Sequence, residues 1–482
     1  MMMSRIIIKN CNECELDIPQ KYALKLYEEL SIKHPQSFYL MRKVRGWDGK
    51  VHFLNKYGVF KIGMLPRIYQ TLIDWGLKIK IVDTRKPIPK SKIVKQVGNY
   101  KLRKEQLQAL ENILRYKIDN IPFHIGVVNA AVNFGKSLLM SSLYYSYDRQ
   151  LKTLLITQDA DWLRQSQKEF QDYLPNEKIT FIQGSKVENW SNFSIGMVQS
   201  ISRNIKKYQK ELAQIDMVLV DEADLAGSKM YQTVLTHLYN TRIRIGLSGT
   251  IYMSKLAKDK LKNMNLEAFF GKEMFKFTIK DSIKVGHSTN TIVKLVSCIE
   301  LYPENYKEIR VYQDEYDYNV IENKDSYKVI TDRLKYNLSY GRLPALIVCK
   351  YIKHCENLYK YISNALDPTY RVAYVHVNTP DKVRKSIMEN FREGKIDILI
   401  STTIIARGKN FPKLRYMINA AGMNSQEKSI QFLGRLVRTY EGKSRVYLDD
   451  IQYPGKYLGR HSKRRARYYR EEKLKVINLS KF

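Results

Sequence analysis

Apolar residues along most of this chain fall into two alternating registers. Leu102, Leu107, Leu110, Ile113 and Leu114 recur at helical spacing, so an amphipathic helix is expected over 103–116. Short continuous apolar runs follow, separated by helical stretches: Ile125-Gly126-Val127-Val128, Lys152 to Thr157, Met217 to Val220 and Ile243 to Leu247. A second set begins near Leu343, with Ala345 to Val348, Val372 to Val375, Ile396 to Ile400 and Tyr416 to Ala420, and a helical stretch from Asp381 to Phe391. Runs apolar at every position suit strands buried on both faces, and their alternation with helices predicts parallel sheets covered on both sides. The expected class is α/β: two successive lobes with a break between 275 and 300, preceded by a small α+β region. The expected spans are 1–96 for a small N-terminal domain with its linker, 97–284 and 285–454 for the two lobes, and 455–482 for a basic tail.

Before Leu102 the sharpest local feature is Arg42-Lys43-Val44-Arg45-Gly46-Trp47-Asp48-Gly49-Lys50, followed by the alternating run Val51 to Leu54. Gly46, Asp48 and Gly49 are turn formers, so a turn entering a strand is expected. Trp47 then either packs inward or stacks on a nucleic-acid base amid its basic neighbours. Arg85 to Lys92, punctuated by Pro87 and Pro89, reads as a linker.

Composition narrows the function. Among 482 residues, 82 Lys and Arg face 48 Asp and Glu, a formal charge of +34 that favours a polyanionic partner through counterion release. The segment from Lys463 to Arg470 interleaves cations with tyrosines, which points either to a solvated tail or to nucleic-acid contact. No run approaches the length of a membrane span, and the first residues lack the apolar core of a secretion signal, so a cytoplasmic, non-membrane protein is expected. The five cysteines, Cys11, Cys14, Cys298, Cys349 and Cys355, lack a second Cys-x-x-Cys pair and read as reduced thiols.

The chemistry-bearing segments follow the strands. Asn129 to Leu138 contains Gly135-Lys136-Ser137 after an apolar run and before a helix, the context of a phosphate-binding loop. Asn133 and Gly135 belong to the loop; Lys136 would bridge β- and γ-phosphates, and Ser137 would ligate Mg²⁺. The usual first glycine of such a loop is Ala130 here. Met217 to Val220 ends in Asp221-Glu222-Ala223-Asp224. Asp221 would hold Mg²⁺ through water, and Glu222 would orient or deprotonate the attacking water. Ser248 and Thr250, in Ser248-Gly249-Thr250, would couple the nucleotide site to movement. Gln106, with a donor and an acceptor on one amide, suits an adenine edge. In the second lobe Gly408 follows a strand, and Gln431, Arg435 and Arg438 recur at helical spacing, aiming two guanidiniums at one anion.

In this order the segments resemble those of superfamily-two helicases and translocases, over about Lys101 to Asp450. The resemblance implies two RecA-like lobes (parallel sheets flanked by helices) with a small N-terminal α+β domain, ATP and Mg²⁺ as cofactors, and nucleic acid as partner. It also implies that Gln106, Gly408 and Gln431 touch ATP and that Arg435 and Arg438 stabilise transition-state charge. Thr157, Gln199, Ser200, Thr402 and Thr403 would touch the strand backbone. The spelling Asp-Glu-Ala-Asp suggests the DEAD-box RNA helicases, but Gln431 stands where they usually carry His, and Ala130 replaces their loop glycine. A closer resemblance is to the bacteriophage UvsW-type helicases. They share a phosphate loop lacking the first glycine, the turn Gly46-Trp47-Asp48-Gly49-Lys50, and the stretch from Phe270-Gly271-Lys272 to Gly286-His287. That resemblance implies an ATP-dependent DNA helicase acting on branched or forked DNA in recombination and repair, with 1–96 as a DNA-binding domain. An RNA helicase, a restriction-type duplex translocase and a non-enzymatic binder are the alternatives.

Overall fold

The structure is a computed structural model, and it describes residues 4–185, 187, 189–251, 257–298, 311–406 and 411–479. The chain divides into two compact units. One comprises Met1–Ala130 with Gly135–Phe277, the other Ala131–Phe134 with Thr278–Phe482.

The first unit opens with a four-stranded sheet in the order Val59–Lys61, Glu13–Asp17, Ser4–Ile8, Ile79–Asp83. Its first two neighbouring pairs are antiparallel, and the last is parallel. The alternation buried–exposed–buried in Ser4–Ile8 is that of a half-covered sheet. The buried face packs on the apolar side of helix Leu65–Asp74, whose Leu65, Ile68 and Leu72 are fully buried. These residues share one apolar core with Leu154, Val218 and Val220 of the larger sheet and Phe270 of helix Ala257–Phe270, so residues 1–83 are built onto this unit. A Cβ added at Gly63 would lie 2.1 Å from the carbonyl oxygen of Glu267, which leaves room only for glycine. Beside it, Arg67 makes a bidentate pair with Glu267 at 2.7 Å for both bonds. The buried Arg244 donates to Asn12 Oδ1 at 2.6 Å and to the Leu238 carbonyl at 2.9 Å.

The larger sheet has seven strands in the order Ile179–Ile182, Phe193–Met197, Thr153–Thr157, Met217–Asp221, Ile243–Ser248, Ile125–Ala130, Glu273–Phe277, all parallel. Met217–Asp221 is buried at every position. Each of Val218, Leu219 and Val220 thereby contributes about 1.5–3 kcal/mol by leaving water. That burial on both faces is why the run carries no polar alternation until Asp221.

The second unit repeats this plan. Its sheet runs Val372–Val375, Ile398–Thr402, Ala345–Cys349, Tyr416–Asn419, Arg445–Gln452, Asn290–Ser297, Lys475–Leu479, again all parallel. Numbered from the first strand of each sheet, both read third, fourth, second, fifth, sixth, first, seventh. The expected basic tail is therefore structural: helix Leu458–Glu471 buries Arg465, Tyr468 and Tyr469, and Lys475–Leu479 is the seventh strand. Its charge reads as a tail because six of the helix's residues are Lys or Arg-like cations on an exposed face or, like Arg465, neutralised inside. Arg465 meets Asp450 at 2.9 Å with both side chains fully buried, and Asn419 and Tyr469 donate to the same carboxylate at 2.8 and 2.7 Å.

Candidate functional site

In a parallel sheet, loops at the carboxyl ends of the strands lie together at one edge. The phosphate loop leaves Ile125–Ala130 there, and Asn133 and Gly135 adopt left-handed backbone at φ 70° and 79°. Turn conformations of this kind aim consecutive backbone N–H groups toward one concavity, the geometry of an anion nest. Helix Lys136–Ser146 starts at once, so its positive end faces the same place. Gly135 is required twice over: a Cβ there would come within 2.5 Å of Gln106 Nε2.

Lys136 Nζ lies 3.3 Å from Asp221 Oδ1, bringing the phosphate loop and the acidic turn together. Burial opposes the Lys136 charge, but Asp221 first, then Glu222, outweigh it and hold its pKa above the ordinary lysine value. Glu222 has φ 52° and ψ 50°, a left-handed conformation that costs a non-glycine residue about 1 kcal/mol or more. The strand ends at Asp221, and this kink turns the next side chain out of the sheet. Ser137, on the first turn of the helix, is buried beside Lys136.

Asp224 has a definite place that sequence reasoning passed over. It is buried and accepts from the Ser248 hydroxyl at 2.7 Å, while Ser248 Oγ also accepts from the Thr250 backbone N–H at 3.2 Å. The acidic turn and the Ser-Gly-Thr turn are thus joined side chain to side chain. Gln106 is fully buried: its oxygen accepts from the Arg103 N–H at 2.9 Å, and its amide donates to the Gly135 carbonyl at 3.3 Å. One end of the amide expected on an adenine edge therefore braces the phosphate loop, while the other caps its own helix.

Several residues expected at a nucleic-acid backbone are internal. Thr157 is buried, and its hydroxyl accepts from the Asp159 N–H at 3.3 Å. Ser200 is buried and accepts from Gly184 N–H at 2.8 Å. The Thr157 hydroxyl closes a turn at its strand end, a local use that competes with ligand contact, and the Ser200 hydroxyl ties its helix to the loop at Gly184. Gln199 donates to the Gln158 carbonyl at 3.2 Å and keeps a buried amide oxygen without a hydrogen bond among the described residues. Thr402 is buried at the end of its strand, Thr403 half-buried just beyond it, and Gly408 lies outside the described residues. Trp47 is half-buried, donates its indole N–H to the Lys50 carbonyl at 2.9 Å, and sets its ring edge-on to His34.

In the second unit, helix Gln426–Leu436 carries Gln431 and Arg435, both half-buried. The helix stops before Arg438, which lies in an isolated antiparallel bridge with Ser288. The helical spacing expected to align all three therefore holds only for Gln431 and Arg435. Burial keeps the Arg438 pKa below its usual value, and its Nε is buried without a hydrogen bond among the described residues. Lys443 went unnoticed in the sequence because Glu441-Gly442-Lys443 has the look of a solvated turn. Its Nζ is in fact buried and donates to the carbonyls of Leu436, Arg438 and Pro412 at 2.8, 2.8 and 3.0 Å. Burial first, then Arg415 and Arg438, pushes its pKa down to about 7.

Among the described residues no group of three His, Cys, Asp or Glu side chains gathers as a metal cluster, and no helix is long and apolar enough to cross a membrane. One carboxylate with phosphate oxygens and water is the usual Mg²⁺ arrangement, and Asp221 beside Ser137 fits it.

Residues 99–253 match the family described as type III restriction enzyme, res subunit, and residues 329–440 match the helicase conserved C-terminal domain. With the paired sheets, these domains make the chain a superfamily-two helicase, a nucleic-acid-dependent ATPase. Among individual proteins it is similar to the ATP-dependent DNA helicase uvsW of Enterobacteria phage T4, 25% identical over 90% of this chain and 91% of that one. Its fold is shared with a putative HsdR subunit of a type I restriction enzyme from Vibrio vulnificus, at TM-score 0.58 and 15% identity over 94% and 81% of the two chains. It is shared too with S. cerevisiae Dbp5 bound to RNA and ADP BeF3, at TM-score 0.52 and 16% identity over 79% and 90%.

Proposed function

We propose that the chain is an ATP- and Mg²⁺-dependent DNA helicase or translocase that unwinds or migrates branched DNA. The observation that carries the ATPase half is the 3.3 Å approach of Lys136 to Asp221, beneath a left-handed phosphate loop and beside the strained Glu222. In this reading the nest, the helix end and Lys136 bind the phosphates, while Ser137 and Asp221, the latter through water, hold Mg²⁺. The metal supplies charge neutralisation on the phosphate oxygens when bound. Glu222 orients the attacking water and takes its proton. Arg435 and Arg438 stabilise charge that develops in the transition state. Ser248 and Thr250, joined to Asp224, carry the effect of turnover to the rest of the unit. Gln106 acts by bracing the loop, and Gln199 is the side chain in the first nucleic-acid set with a buried acceptor to offer.

The choice of DNA rests on the similarity to phage T4 uvsW along nearly the whole chain, and on a charge of +34 suited to a polyanion. ATPase rates with single-stranded DNA, duplex, fork, four-way junction and RNA, side by side, test it. Greatest stimulation by fork or junction is expected. Stimulation by RNA alone would move the chain to the RNA helicases, and duplex stimulation without strand displacement to the restriction-type translocases.

A further inference from the structure

Trp47 drew attention in the sequence as a ring that either packs inward or stacks on a base, and its indole is committed to the Lys50 carbonyl and to His34. The rings that face solvent lie earlier in the same arch. Strands Ser31–Lys33 and Lys50–His52 pair antiparallel, and the residues between them fold over as a one-turn helix, Ser37–Leu40, and a turn. The arch is firmly made. His34 N–H donates to the Gly49 carbonyl at 2.9 Å, Lys50 N–H to Asp48 Oδ1 at 3.0 Å, and a Cβ at Gly49 would strike Met41 Sδ at 2.8 Å.

On this platform Phe38 and Tyr39 are 65% and 68% exposed, edge-to-face at 5.5 Å. Met41 and Val44 are exposed beside them, and the Arg42 guanidinium lies 4.5 Å from the centre of the Phe38 ring. Between Glu29 and Asp48 the chain has no acidic residue, while Lys33, Arg42, Lys43 and Arg45 are all exposed. Two large rings held in water cost free energy unless something covers them, and contiguous exposed apolar surface marks a contact site. Cations without acids select a phosphate backbone, and ring faces select bases that are not already stacked in a duplex.

We infer that Phe38 and Tyr39, flanked by Arg42, Lys43 and Arg45, form a stacking platform for unpaired bases of a nucleic-acid strand, with Trp47 serving to pin the arch. This rests on the nucleic-acid reading above and names the residues of 1–96 that engage the strand. The platform favours single strands or fork arms over closed duplex.

The test uses the full chain and fluorescence anisotropy with a labelled oligothymidylate and a duplex of the same length. In Phe38→Ala/Tyr39→Ala, single-strand affinity should fall about tenfold or more, with duplex affinity changed less than about twofold. Phe38→Trp/Tyr39→Trp should restore binding, and Phe38→Leu/Tyr39→Leu should not. Unchanged single-strand affinity in the alanine variant, or full restoration by leucine, would overturn the platform. Basal ATPase without nucleic acid should stay at the parent rate in every variant. Should the alanine variant fail to fold, Phe38→Trp alone decides: its fluorescence should be quenched by oligothymidylate, and absence of quenching counts against stacking. The ATPase panel fails or succeeds separately. A protein stimulated by forked DNA whose binding ignores these rings loses this inference and keeps its proposed function.

Discussion

The chain builds the same seven-stranded sheet twice, in the same strand order, and treats buried charge in opposite ways in the two copies. In the first, Lys136 and Asp221 face each other at 3.3 Å with side chains 27% and 6% exposed, and Asp221 Oδ1 has no hydrogen bond of ordinary geometry among the described residues. In the second, Asp450 receives Arg465, Asn419 and Tyr469, and Arg465 also donates to the carbonyls of Met423 and Ile451 at 2.8 and 2.7 Å. One set has bonding capacity left for a ligand; the other has spent it inside the fold. Topology therefore says little about where chemistry occurs, and the satisfaction of each polar group says a great deal.

The comparison breaks most sharply at Lys136. Lys136→Ala should lower nucleic-acid-stimulated ATP turnover about a thousandfold, while leaving nucleic-acid affinity and the thermal midpoint near those of the parent. A coupled phosphate-release assay measures it, and retained stimulated turnover would remove the nucleotide site from this sheet. Arg465→Met tests the other copy. It leaves Asp450 charged and uncompensated in the interior, a cost of about 3–5 kcal/mol that lowers the unfolding midpoint by about 10 °C. A midpoint within a degree of the parent would mean that this pair is not the internal strut its geometry indicates.

Arg435→Ala comes next in size. On the proposed mechanism it should reduce kcat about a hundredfold with little change in nucleotide affinity or stability, because it removes charge complementarity needed only as the reaction proceeds. Steady-state kinetics separates kcat from KM, and an unchanged kcat would leave Arg435 as an ordinary basic residue of its helix.

The sheets were legible because a strand buried on both faces must be apolar at every position, as in Ile125–Ala130 and Met217–Asp221. The residues proposed for the nucleotide stood out because phosphate chemistry constrains spacing along one short loop. Other assignments turned on partners distant in sequence. Ser200 has the right identity for strand contact, but its hydroxyl is engaged by the backbone N–H of Gly184 on another loop. The segment 455–482 reads as a charged tail until Asp450 and the strand Asn290–Ser297 supply its partners. Trp47 and Phe38 could not be ranked by composition, since only the fold shows which ring the arch holds.

Lys443 gives the smallest expected effect and the finest test of the comparison, because it is a fully hydrogen-bonded amine next to the arginines proposed to act in the second unit. Its three donors tie the end of the Arg435 helix, the Arg438 backbone and Pro412 together. Lys443→Met keeps most of the volume and removes the cation, leaving three carbonyls without their shared donor. If those bonds position Arg438, kcat should fall about tenfold while KM for nucleotide stays within about twofold, as expected when a reacting group is slightly misplaced. A purely structural role would instead lower the unfolding midpoint and leave kcat per folded molecule at the parent value. Lys443→Arg separates these further. Its wider, planar group cannot occupy the same three-carbonyl cradle, so a positioning role predicts no rescue of kcat despite the restored charge.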